Sequence, residues 1–183
     1  MSIFNTSMDS WIVLLRGINV GGKHSVPMRD LKSLMVDVGF RNVRTYIQSG
    51  NIVLESTTRP TEEISDLIER EFGFRPGVFI LSREEFEKAL SNNPYNADAG
   101  KTVHLFFCDR VPTSVDYDFL ESIKASSEDF ALVGRVFYFH APNGIGRSIL
   151  VQKMHRAFPG VVMTARNLNT INKLAQMLGN SRS

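Results

Sequence analysis

One pattern constrains this chain more than any other: the order strand, helix, strand, strand, helix, strand can be read twice along it. Residues 11–18, opening on the apolar run 11–15, predict a first strand. From Pro27, a residue suited to a first helical position, Met28, Leu31, Leu34, Met35 and Val38 keep helical spacing until Gly39. Strands at 43–48 and 51–55 follow, joined as a hairpin at Ser49-Gly50. A second helix holds Ile64, Leu67, Ile68 and Phe72, and residues 77–81 make the fourth strand. A third helix starts at Ser82, whose hydroxyl can cap the first turn while Glu85 reaches back, with Phe86, Ala89 and Leu90 on its apolar face. Asn92-Asn93-Pro94-Tyr95-Asn96 then breaks regular structure.

The second half repeats the order. Strand 103–108 leads to helix 117–123, strand 130–133, a turn at Gly134-Arg135 and strand 136–140. Helix 148–158 and strand 161–164 come next, and a last helix, capped by Asn167, carries Ile171, Leu174, Ala175 and Leu178 before Gly179. The fold class expected is α+β, with two ferredoxin-like βαββαβ repeats on antiparallel sheets, each followed by an extra helix. The repeats are placed at 11–95 and 96–179, between flexible tails at 1–10 and 180–183, with Met8 as an alternative start. Residues 11–15 and 105–107 are apolar at every position, which implies sheets covered on both faces and argues against an open RNA-binding platform.

Composition narrows the classes of function. Lys plus Arg number 21 and Asp plus Glu 19, a difference of 21 − 19 = 2, so no global field drives binding to nucleic acid or membrane. Affinity for an anion must come from a local cluster. Cys108 is the only cysteine, which excludes an intrachain disulfide and a cysteine-built metal site and fits a reducing, cytoplasmic setting. The apolar run ending at Arg16 is too short for a membrane span. His104 and His140 fall on strands expected to be neighbours, but with no third ligand they make no metal site, and no cofactor is expected. Cys108 reads as a buried small hydrophobe.

Two polar tracts stand out, 14–23 and 164–170, each where a strand should give way to a helix and backbone N–H groups are left unpaired. The first nearly spells a phosphate loop: Gly17, four residues, then Gly22-Lys23. The motif next needs Ser or Thr for magnesium, and this chain has His24, with its helix starting too late. A softer reading makes Asn19, Gly21 and Gly22 an anion-binding nest flanked by Arg16 and Lys23. The plainer reading is a turn whose glycines only let the chain reverse.

In a ferredoxin-like sheet the loop after the first strand and the turn between the second and third strands emerge at one end, which brings Arg16 to Lys23 beside Gln48, Ser49 and Asn51. In the second repeat the loop after the third strand shares an end with the exit of the fourth. That brings Arg147 beside Arg166, Asn167 and Asn169. Arg166 suits bidentate recognition of carboxylate or phosphate, although an Arg beside a capped helix can equally pair with an acid. His24 and Ser25 are the candidates for acid–base or nucleophilic work, though Ser25 can simply cap the following helix.

Three functional readings follow: a binder of a small anionic or phosphate-bearing ligand such as a nucleotide or nucleic-acid end, an enzyme using His24 or Ser25 on such a ligand, and an interaction protein whose polar loops only fix the repeats together. Oligomeric state stays open.

The stretch Arg16-Gly17-Ile18-Asn19-Val20-Gly21-Gly22-Lys23, then Val26-Pro27-Met28, Tyr46-Ile47-Gln48-Ser49-Gly50-Asn51, and Thr164-Ala165-Arg166-Asn167 with Asn169-Thr170 and Lys173-Leu174, resembles a mostly bacterial family catalogued as domain-of-unknown-function family 1697. The resemblance runs from Trp11 to Leu178 and implies two ferredoxin-like halves with no established activity. A Trp is usual in that family where Leu168 stands here.

Overall fold

The computed structural model describes residues 7–60, 62–96 and 98–179. The tails expected at 1–10 and 180–183 therefore fall largely outside the described residues. Asp9 and Ser10, which do not, already belong to the first strand.

The first half runs β1 (Asp9–Arg16), α1 (Met28–Asp37), β2 (Arg41–Tyr46), β3 (Asn51–Ser56), α2 (Glu63–Phe72), β4 (Gly77–Ser82) and α3 (Arg83–Ser91). The second runs β5 (Val103–Cys108), α4 (Tyr117–Ile123), β6 (Asp129–Val133), β7 (Val136–His140), α5 (Ile149–Lys153), β8 (Met163–Asn167) and α6 (Leu168–Gly179). Two four-stranded sheets result, in the orders β2-β3-β1-β4 and β6-β7-β5-β8, and every pairing is antiparallel. This is the βαββαβ arrangement twice, each copy followed by a helix.

The chain divides into two compact units, one of residues up to Lys88 together with Lys173 onward, the other Ala89–Asn172. The division falls inside α3 and inside α6, so the last turns of α6 count with the first unit.

In that unit, register puts Trp11, Val13 and Leu15 on the sheet face that also carries Ile52 and Leu54. These pack with Leu31 and Met35 of α1 and Ile64, Leu67 and Ile68 of α2 in one core. The opposite face, with Ile12, Leu14 and Val53, is equally closed to solvent. A strand apolar on both faces reads as a continuous run, which is why 11–15 shows no alternation. Arg44 and Arg83 donate to the carbonyls of Met177 and Leu178 in the last turn of α6, where cations suit the negative end of the helix dipole.

In the second unit Phe106, Phe137 and Phe139 share one sheet face and pack against Leu120, Leu150, Met154 and Phe158. On the other face Tyr138 is fully buried and its hydroxyl donates to the Ala89 carbonyl at 2.6 Å. Burial pushes that phenol up to about 12. Cys108 is buried beside this core and its thiol is likewise pushed up to about 12, first by burial.

Strands β1 and β2 end at Arg16 and Tyr46, earlier than the 18 and 48 expected, which leaves Gly17, Ile18, Ile47 and Gln48 in loops, and two further elements differ from expectation. The helix expected at 148–158 is a short α5, capped by the Ser148 hydroxyl on the Val151 N–H and flanked by 3-10 turns at Ile145–Arg147 and Met154–Arg156. Strand β8 lies later than the 161–164 expected and includes Arg166 and Asn167. Its inward residues, Thr164 and Arg166, are polar, so the alternation that marks a half-buried strand is hidden.

Candidate functional site

At the first unit's loop end, β1 leaves the sheet at Arg16, and Gly17 follows at φ +81. The chain then makes a small hairpin: the Lys23 N–H donates to the Val20 carbonyl at 3.1 Å, with Gly21 and Gly22 between them at φ +59 and +71. Positive φ at both central residues is what a two-residue hairpin turn demands, so the two glycines are explained by the reversal itself. The chain reaches α1 only at Met28, and no phosphate loop running straight into a helix is formed.

Asn19, at φ +52, holds the hairpin to its surroundings. Its Nδ2 donates to the carbonyls of Val26 at 2.9 Å and Gln48 at 2.7 Å, and its Oδ1 accepts the Val26 N–H at 2.7 Å. The Asn19 N–H itself donates to the His24 carbonyl at 3.0 Å. One side chain therefore ties together the hairpin, the approach to α1 and the β2–β3 turn, and its polar atoms are directed inward at the protein's own backbone.

The β2–β3 turn is built with equal economy. Asn51 is fully buried, and its Nδ2 donates to the Tyr46 carbonyl at 3.1 Å and the Ser49 hydroxyl at 2.9 Å. Gly50, at φ +78, sits so close to β1 that a Cβ would lie 2.6 Å from Leu15 Cβ, and its carbonyl accepts the Leu15 N–H. Ile47 occupies φ +50, a conformation that β-branched residues rarely adopt. Asn19, Asn51 and Gly50 thus form a frame. Arg16, Gly21, Gly22, Lys23, His24, Ser25, Gln48 and Ser49 stay exposed on it.

The His24 ring is fixed twice. Its Nδ1 lies 3.0 Å from the Gly17 carbonyl, which can only accept, so in the neutral ring Nδ1 carries the proton. One ring face stacks on Phe74 with centroids 4.3 Å apart and planes 13° from parallel. Phe74 comes from the loop before β4, which reaches this end because β4 runs antiparallel to β1, with Gly77 opposite Arg16. That residue was missed in the sequence, where a lone Phe between Gly73 and Arg75 carries no motif; only the topology brings it here. The His24 ring bonds to the Gly17 carbonyl, and Ser25 does not pair with it as a nucleophile would with its base.

The second cluster does not gather as expected. Arg166 pairs in register with Leu105 on the face of Tyr138, and it is only 8% exposed. Its Nη1 donates to the Thr164 hydroxyl at 2.9 Å and the Ala165 carbonyl at 2.7 Å, and burial lowers its pKa to about 10. Arg147 is exposed on a 3-10 turn whose Ile145 packs into the core on the sheet's other face. Asn167 caps α6 by accepting the Thr170 N–H at 2.9 Å. Asn169 lies over Gly100, whose missing Cβ leaves room for its side chain, and its N–H donates to the Gly100 carbonyl at 3.0 Å. Leu168 is fully buried, so the side chain at this position packs into the core.

His104 and His140 point to opposite faces, since His104 pairs with Phe139 and Val103 with His140. Among the described residues no group of three or more His, Cys, Asp or Glu could hold a metal ion, and no helix is long and apolar enough to cross a membrane.

Two antiparallel sheets of one strand order, with a clamped polar loop end on the first, define the class of protein by fold alone. The model of the family described as protein of unknown function (DUF1697) matches residues 8–138, and the chain belongs to this family. Among solved structures it is similar to that of the conserved bacterial protein SP0830 from Streptococcus pneumoniae, at 26% identity and a TM-score of 0.68 over 94% of this chain and 99% of that one. No curated protein matches it.

Proposed function

We propose that the loop end of the first unit binds a small anionic, phosphate-bearing ligand, with Arg16 and Lys23 supplying charge and Gln48 and Ser49 hydrogen bonds. The observation that carries this reading is the concentration of left-handed backbone in one place. Four non-glycine residues have positive φ among the described residues, and Asn19, His24 and Ile47 of them lie in this loop cluster. Each such residue costs on the order of 1–3 kcal/mol, and strain of this kind gathers where a site is held ready for a ligand. A flexible turn would relax. Here the Asn19 clamp spends a complete polar side chain on keeping exposed basic and amide groups in fixed positions.

The second cluster is left out of this site, since Asn167 caps α6, Asn169 lies over Gly100 and Arg166 lies within a sheet face. We further infer that the two halves are copies of one ancestral unit and that the protein works in the cytoplasm, the compartment that suits a lone buried thiol.

The test is a thermal-shift titration with inorganic pyrophosphate and ribose 5-phosphate at 50 and 200 mM salt. The expected result is a stabilisation that weakens at the higher salt, as screening of exposed charge requires. In the Arg16→Glu/Lys23→Glu double variant, shown by circular dichroism to be folded, affinity should fall roughly tenfold or more. Equal shifts in the variant and the parent would overturn the assignment.

A further inference from the structure

We infer that His24 is a stacking shelf for a planar aromatic ring, so that the ligand of this end is a nucleotide, base and phosphate together; this rests on the phosphate-binding reading above. His24 is an exposed residue although Phe74 covers one face of its ring. Its exposure therefore falls on the opposite face and the outer edge. The ring is oriented by the Nδ1 hydrogen bond to the Gly17 carbonyl at 3.0 Å and by its stack on Phe74. A pinned, doubly stackable ring costs little entropy when a second ring settles on it, and base-on-ring stacking tolerates any base because every base has a π-face.

The same backbone places Lys23 immediately before the shelf, and Arg16 immediately before the Gly17 that holds it. A base on His24 would thus have cationic groups within the reach of its own phosphate. Gln48, held through its carbonyl by Asn19, keeps its side-chain amide for the polar edge of a sugar or base. A phosphosugar would satisfy the charges and leave the shelf unused.

The experiment compares AMP with ribose 5-phosphate by titration calorimetry, and follows the adenine H2 and H8 resonances of AMP by proton NMR. AMP should bind about tenfold more tightly than ribose 5-phosphate, within the range of one base stack, with both adenine protons moving upfield in the ring current of His24. His24→Gly removes the ring at a position whose positive φ suits glycine. It should abolish the AMP preference and leave ribose 5-phosphate affinity within about twofold of the parent.

If ribose 5-phosphate binds and AMP binds no better, the shelf is wrong and the phosphate platform stands. A preference that survives His24→Gly also overturns the shelf. Binding of neither compound overturns both readings.

Discussion

Ile47 illustrates how much this protein concedes at single positions. A β-branched side chain at φ +50, with 53% of its surface exposed, gains little from packing and meets the steric cost of the left-handed region. Replacement by glycine removes that cost while adding chain entropy to the unfolded state, for an expected net gain of about 1 kcal/mol in urea unfolding. Asn19 is the opposite case. Asn19→Ala deletes its three side-chain hydrogen bonds to Val26 and Gln48, and should destabilise the protein by roughly 2–4 kcal/mol. It should also weaken anion binding by more than Gln48→Ala does, measured in the same titration, because it releases the whole loop end. None of this was visible in the tract 16–23 itself. Asn, Gly and Lys in a loop look alike whether they face a ligand or the chain's own carbonyls.

At the scale of elements, local chemistry was readable wherever the partners lie within one helical turn. The start of α3 is the clearest example: the Glu85 N–H donates to the Ser82 hydroxyl at 3.1 Å, and the Ser82 N–H to the Glu85 carboxylate at 2.8 Å. Ser82→Ala should cost about 1 kcal/mol in denaturant unfolding, and a change under about 0.3 kcal/mol would show that the cap is idle. Short apolar runs likewise exposed β5 and β7 with their bounds, as the spacing after Asp116 did α4. Strand β8 escaped because it turns Thr164 and Arg166 inward. An inward Arg makes sense only once Leu105 and Tyr138 are known to share its face, and both are distant in sequence.

For the molecule as a whole, burial sets the response to pH. His104 is 8% exposed, and burial lowers its pKa from the ordinary 6.5. The unfolded chain therefore takes up this proton first. The stability it contributes is complete above pH 6.5 and is lost as pH falls from there through the folded value. Asp109 is held below its ordinary 3.8, chiefly by the hydrogen bond from Arg110, so its contribution is complete above that value and lost only in stronger acid. Urea unfolding at pH 7.5 and 5.5 should show a loss of stability in the parent that is reduced in His104→Gln. An equal loss in both would assign the window to other groups.

By itself, the sequence determined the fold class and the order of elements, together with the helix caps at Ser82 and Asn167, because these depend on spacing over a few residues and on burial of apolar side chains. It also directed attention to the loop end of the first unit, since the strand order brings residues 16–23 and 48–51 to one end of a sheet. Tertiary structure alone decided which polar residues there face outward. Asn19 and Asn51 turn inward to pair with backbone groups that burial would otherwise leave unsatisfied, whereas Arg16, Lys23, His24 and Gln48 remain exposed. It decided too that Phe74 lies under His24, a contact across 50 residues that exists because β4 runs back along β1. Hydrogen-bond satisfaction is settled in three dimensions, and no spacing along a chain records it.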